Sequence, residues 1–405
     1  MKLPGSLGHL TYCTNVHPGE TWSAVEAVLK SDVLAVRDAL GAREANGARA
    51  PFGIGLRLSA QALAQAAQPE ALAAMKAHLA EHGLYVFTLN AFPYGAFHGT
   101  PVKADVYLPD WRDAARLAYT NAAADYLAEL LPPDMEGSVS TAPGAFRANV
   151  RSRQVVEAIA EALLRHVAHL VALERRTGAA IALAIEPEPA CFLETTAEAV
   201  SFFQDHLFSR SAVARLTGLT GLSTGDAEAA VRRHLGLCLD LCHAAVEFED
   251  AARSLAMLRS AGVKVAKLQV SSGLRLSNVG PDAASLLAPF DDKVYLHQVV
   301  ERCGDRLNRY DDLGEAFAAL EGAAPGSGRE WRVHYHVPLF LEDMGAFAST
   351  QAFVREVLEL HRREPVSAHL EVETYTWGVL PEAYRAASLP EAIARELQWV
   401  RSQWA

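Results

Sequence analysis

Two histidines in "RVHYHVPLF" (332–340) and a series of carboxylates at the ends of apolar runs are the residues with the types and spacing to do chemistry. A strand alternates its side chains with period two, so His334 and His336 project to one face, and Val333, Tyr335 and Val337 to the other. "ALAIEPEP" ends in Glu186 and Glu188, "LGLCLDLCH" in Asp240 and His243, and Gln269 stands among apolar residues in "VAKLQVSS". In "AHLEVETYTW" the residues His369, Glu371, Glu373 and Tyr375 share one face, and Ala368, Leu370 and Val372 the other. A carboxylate buried alone must be paired, protonated or bound to a cation. Glu186, Asp240, a histidine from 334 or 336, and Glu373 together suggest a mixed nitrogen–oxygen metal site. It suits Mn, Zn, Co, Fe or Mg better than Ca, with no choice among them.

Plainer readings compete. Glu186 and Glu188 each precede a proline and could equally be exposed loop residues, whereas the apolar flanks of Asp240 predict burial. Cys238, Cys242 and His243 fit no standard zinc spacing, and core packing is the expectation for both cysteines. His17, Asn90 and His98 stand at the ends of the first and third strands and are candidates to line a substrate-binding mouth. Glu188, Glu371 and His334 are further candidates for substrate contact. Arg57 or Lys267 could meet an anionic group, and Lys267 could equally be structural.

The elements that must position these residues alternate along nearly the whole chain. Strands are expected at 9–17, 52–59, 84–95, 137–144, 179–189, 234–243, 263–272 and 368–377, with helices between them. The helix over 60–83 is interrupted near Pro69 and stops at Gly83; that over 111–131 stops before Pro132. Repeated strand–helix units imply a parallel sheet covered by helices, and eight of them imply a (β/α)8 TIM barrel. Extra strands at 294–302 and 332–340 predict one barrel domain over 1–405, with an insertion around 280–345 and a loop at 322–331. "YCTNVHPGETW" lacks the glycine-rich turn of a nucleotide-binding doubly wound sheet.

The 405 residues are half hydrophobic and 21% charged, which excludes a disordered chain. A formal charge of -11 argues against a nucleic-acid-binding surface. Five scattered cysteines do not form the framework of a small secreted domain. No apolar leader or membrane-length run is present, so the expected residence is the cytoplasm, with no direct membrane insertion.

Strands ending in Glu, then Asp-x-x-His ("DLCH"), a polar seventh strand and a terminal Glu ("LEVET") resemble the xylose-isomerase-like TIM barrels. These are sugar isomerases and epimerases and the related endonuclease IV. More narrowly, "GHLTYCTNVHPGETW", "LNAFPYGAFHG", "HYHVPLF" and "LEVETYTWGVLPEAY" resemble the EboE family of metabolite traffic proteins over nearly the whole chain. The wider resemblance implies a divalent metal held by Glu186, Asp240, a strand-seven histidine and Glu373, with His243 contacting substrate. This chain has Gln269 at strand seven; either Gln269 is an oxygen ligand or His336 substitutes. The EboE resemblance implies a secondary-metabolite pathway that also contains a membrane prenyltransferase-like protein as a functional partner.

Three functions follow as alternatives. The first is a metal-dependent isomerase or epimerase of a polyhydroxylated sugar or cyclitol, with Glu186 and Glu373 as acid and base and His243 and His334 orienting hydroxyls. The second is a metal-assisted hydrolase of endonuclease IV type, disfavoured by the acidic charge. The third is a carrier that holds a metabolite without changing it.

Overall fold

Aliphatic and β-branched runs separated by capped helices set the architecture. The computed structural model describes every residue except 44–46, 48, 100, 321–327, 386–387 and 405, so most of the loop expected at 322–331 lies outside the described residues. The first seven strands are β1 (His9–Tyr12), β2 (Phe52–Arg57), β3 (Leu84–Asn90), β4 (Gly137–Thr141), β5 (Ile181–Ile185), β6 (Leu235–Asp240) and β7 (Val265–Val270). A second group comprises β8 (Gly273–Ser277), β9 (Val299–Cys303), β10 (Arg306–Tyr310), β11 (Arg329–His336) and β12 (Ala348–Ser349). The chain then returns in β13 (His369–Val372).

The eight strands β1–β7 and β13 form one all-parallel sheet, in the order β1-β13-β7-β6-β5-β4-β3-β2. Its two ends meet through a parallel bridge between Cys13 and Gly55. At this seam the Thr11 hydroxyl donates to the Gly53 carbonyl at 2.7 Å and accepts from the Gly55 N–H at 3.0 Å. This is a (β/α)8 barrel. A side chain at Gly55 would collide with the Glu371 carboxylate and the Tyr12 carbonyl, so only glycine lets the seam close over Glu371.

Helices fill the connections much as their patterns require. Ser59, Asp113, Ser152 and Thr195 cap the following helices through their side chains, and Gly83 ends the helix Pro69–His82 in a left-handed turn at φ 63°. The connection from β1 to β2 holds two helices, Trp22–Lys30 and Asp32–Leu40, broken at Ser31. Among the described residues no helix is long and apolar enough to cross a membrane.

The surplus strands build a separate antiparallel sheet in the order β10-β9-β11-β8-β12. It begins at Gly273, two residues after Ser271 leaves the barrel, and ends at Ser349. The strand expected from residue 294 starts only at Val299. Asp292 Oδ1 accepts from the Val294 and Tyr295 N–H groups at 2.7 and 3.1 Å, and this turn holds 294–298 as a loop. The decisive geometry is where β11 ends. His336 pairs with Gly273, and the Val337 N–H donates to the Ser272 carbonyl at 2.8 Å, so the inserted strand terminates over the exit of β7.

Candidate metal centre

At the C-terminal mouth of the barrel, β5 and β6 give way to Glu186 and Asp240, and β13 to Glu373. One oxygen from each of these three lies within 4.8 Å of the others, and all three side chains are buried. Asp240 also joins a second triple, with His243 and His336. Asp240 is both ligand candidate and helix cap: its Oδ1 accepts from the Cys242 and His243 N–H groups and from the Ser271 hydroxyl. Its Oδ2 has no partner. Glu186 Oε2 and His336 Nε2 are likewise buried without partners.

Asp240 belongs to both triples, and the unpartnered buried atoms on Glu186, Asp240 and His336 are what a divalent cation would take up and what a closed polar network would not leave. His336 is aimed for this. Its Nδ1 donates to the Glu373 carbonyl at 2.7 Å, which leaves the Nε2 lone pair facing inward. Burial, with Glu373 and Asp240 close by, holds the Glu186 carboxyl well above the usual carboxylate range. The same causes, burial first and then Asp240 and Glu371, raise Glu373 to about 7. Burial lowers His336 to about 4, so its imidazole is neutral and free to coordinate.

The residues present therefore fit a divalent metal, and of the two alternatives expected at strand seven the geometry favours His336 over Gln269. Gln269 is buried beneath the site, and its amide nitrogen points to Glu186 Oε1 at 3.4 Å while Cys238 Sγ lies 3.7 Å from its oxygen. In this orientation the amide nitrogen, not the oxygen, faces Glu186. Gln269 supports Glu186, and the imidazole over β7 comes from the insertion.

A cavity of about 60 Å³ opens onto this group, lined on its polar side by Asn15, Asn90, Glu186, Glu188, His243, His334 and Glu373. Asn15 and Asn90 donate to Glu373 Oε1 at 2.6 and 3.3 Å. Tyr107 donates to Glu188 Oε1 at 2.7 Å, and burial raises the Glu188 carboxyl above its ordinary value. The cover is aromatic: Phe97, Tyr295 and Tyr375 pack mutually with ring centroids 5.0–5.5 Å apart.

Other sequence candidates lie elsewhere. His17 turns away from the cavity, with Nε2 3.1 Å from the Tyr12 hydroxyl, because the chain after Tyr12 enters a single 3-10 turn (Thr14–Val16) that brings Asn15 inward instead. His98 borders a neighbouring cavity with Val16, Trp377 and Arg385. Lys267 and Glu371 form a buried ion pair deeper in the barrel, with Lys267 also 3.1 Å from Ser140 Oγ. Burial opposes the Lys267 charge, but Glu371 outweighs it and holds the ammonium above its ordinary pKa. Arg57 is occupied by both oxygens of Glu20 and by the Gly19 and Gly95 carbonyls. Sequence reading missed Asn15, Tyr107, Gln298 and the aromatic cover. For Asn15 the asparagine beside a strand end was a usable signal; the others sit in loops or in short 3-10 turns such as Lys103–Tyr107 and Tyr375–Gly378, which carry no readable period.

No protein-family model and no curated protein matches this chain. Among solved structures it is similar to a xylose isomerase-like TIM barrel protein from Mycobacterium smegmatis in complex with magnesium. That match has 13% identity and a TM-score of 0.49, and covers 97% of this chain and 95% of that one. It is also similar to the probable 3-DHS dehydratase AsbF from Bacillus anthracis, at 12% identity and a TM-score of 0.44 over 96% and 97% of the two chains. A third is the IolI protein with a bound zinc atom, at 13% identity and a TM-score of 0.42 over 96% and 95%. The magnesium and the zinc are ligands of those proteins.

Proposed function

We propose that this protein is a divalent-metal-dependent isomerase or epimerase of a small, uncharged polyhydroxylated metabolite, sugar- or cyclitol-like. The observation that carries this is the set of unpartnered buried atoms, Glu186 Oε2, Asp240 Oδ2 and His336 Nε2, beside a polar cavity at the barrel mouth. When bound, a divalent ion polarises adjacent substrate oxygens and acidifies the C–H beside a carbonyl. The chain supplies the proton transfer. Glu186 and Glu373 stand on opposite arms of the site, one to take the proton and the other to return it. Asn15 and Asn90 fix one oxygen of Glu373, Oε1, which leaves Oε2 as the one to move the proton.

An uncharged substrate is supported by the state of the cations. Lys103, the one cation of the cavity lining among the described residues, is 2.7 Å from Asp312, and Arg57 and Lys267 are paired as above. The phosphodiester backbone of DNA would find no counter-charge here, which weighs against the endonuclease reading. The blocks that resemble the EboE family are those that supply Asn15, Asn90, His334, His336 and Glu373 to the mouth. We extend the proposal accordingly to an intermediate of secondary metabolism, with a membrane prenyltransferase-like protein as functional associate. The aromatic cover and small cavity favour one second reading, a carrier that encloses its metabolite unchanged.

Elemental analysis and hydrogen exchange in heavy water decide between them. The Mn-loaded protein is expected to hold about one ion at the carboxylate site, lost in Glu186→Gln and in His336→Ala. It should exchange the proton beside the carbonyl of a neutral ketose or inosose, and Glu373→Gln should not. Metal binding without exchange on any such compound, where binding itself is measurable, would leave the carrier.

A further inference from the structure

His243 and His334 meet nitrogen to nitrogen, Nε2 to Nε2 at 3.0 Å, and each residue is only 4% exposed. Their tautomers follow from partners that can only accept. His243 Nδ1 lies 2.8 Å from the Pro187 carbonyl oxygen, so Nδ1 carries the hydrogen. His334 Nδ1 lies 2.8 Å from Gln298 Oε1. The orientation of Gln298 is fixed in turn, because its nitrogen donates to the Pro189 carbonyl at 3.1 Å and to the Tyr107 hydroxyl at 3.0 Å. His334 Nδ1 therefore also carries the hydrogen. In the neutral rings both Nε2 atoms are then bare lone pairs, and two lone pairs at this distance repel unless a positive charge lies between them.

A third donor completes the cage. Glu188 places a carboxylate oxygen within 4.8 Å of donor atoms of both histidines, and all three residues line the same cavity. We infer that Glu188, His243 and His334 hold a second divalent cation, separate from the one proposed for the carboxylate centre. Two imidazoles on one tetrahedral ion, each bonded at about 2.0–2.1 Å, stand about 3.3 Å apart, so the rings need move only a few tenths of an ångström. Each ligand already has its outer partner: Pro187 for His243, Gln298 for His334, Tyr107 for Glu188. The set is rich in nitrogen and suits Zn or Co, whereas the neighbouring carboxylates also suit Mg or Mn. Asp240 Oδ2 is 3.9 Å from His243 Nε2, so the two sites adjoin and a polyhydroxylated ligand could be held by both.

Cobalt loading of the full chain tests this, with the exposed thiol of Cys303 replaced by Ser throughout to remove an adventitious site. The parent is expected to bind about two Co ions, with the strong visible absorption of a tetrahedral nitrogen-rich centre, and about one ion when only Mg is offered. His334→Ala and the milder His334→Gln should lose one Co ion and the visible band while keeping the far-UV spectrum and melting behaviour. Glu186→Gln should lose the other ion and keep the band. One ion in the parent, unaffected at position 334, overturns the second site and leaves the carboxylate centre standing. One ion lost at position 334 but retained in Glu186→Gln supports this site and overturns the carboxylate centre. No ion in any form overturns both.

Discussion

Each carboxyl group of the mouth, Glu186, Glu188, Asp240 and Glu373, accepts from a neutral amide or hydroxyl, which fixes it in place without an ion pair. Asn15 is the clearest case, at 2.6 Å from Glu373 Oε1. Asn15→Ala should raise the proton affinity of Glu373 and free its rotamer, weakening metal binding by about tenfold, read by competition against a chromogenic chelator. Unchanged affinity would show that Asn15 only fills space. Glu396 offers a second test, away from the metal. It accepts from the Leu339 N–H, the Thr374 hydroxyl and the Trp377 indole at 3.0, 2.7 and 3.3 Å, yet burial raises its pKa from 4.5 to about 7. The folded state thus holds a proton that the unfolded chain has released. The stabilising contribution is complete below pH 4.5 and is lost as the pH climbs to about 7. Urea midpoints should fall over that interval, and Glu396→Gln, a neutral isostere, should flatten part of the slope.

Much of the barrel could be read at the level of elements, because alternation and helix caps are local. Depth within a strand could not. Glu371 and Glu373 share a face, as the period-two reading requires, but one level of pleat separates a structural ion pair with Lys267 from a candidate ligand at the mouth. Asp240 announced itself, since a carboxylate among leucines and cysteines has to be buried for a purpose. The choice between Gln269 and His336 stayed open because sequence order puts Gln269 at the strand-seven position, while His336 arrives there on an inserted strand 67 residues later. No local rule carries that pairing. The seam of the barrel makes an element-scale prediction. Gly55→Ala would press a methyl group into the Glu371 carboxylate and the Tyr12 carbonyl, and should cost about 2–3 kcal/mol by urea denaturation. Full stability in that variant would show that the strands at the seam move apart freely.

For the molecule as a whole, a cation that binds the fold and not the unfolded chain must stabilise it. At a free Mn concentration 100-fold above Kd, stability should rise by about 2.7 kcal/mol, and Asp240→Asn should show no such rise. An equal rise in that variant would place the ion elsewhere. The order of strands has a temporal consequence as well. β13 lies between β1 and β7 and is the last strand of the chain to be made. Until it emerges from the ribosome, β1 and β7 face each other as two open edges, exposed to pairing with any other extended chain. The same four residues that close this gap lead directly into Glu373. Completion of the barrel and completion of the carboxylate triple are therefore one event, and a nascent chain cannot acquire the full ligand set before its edges are sealed.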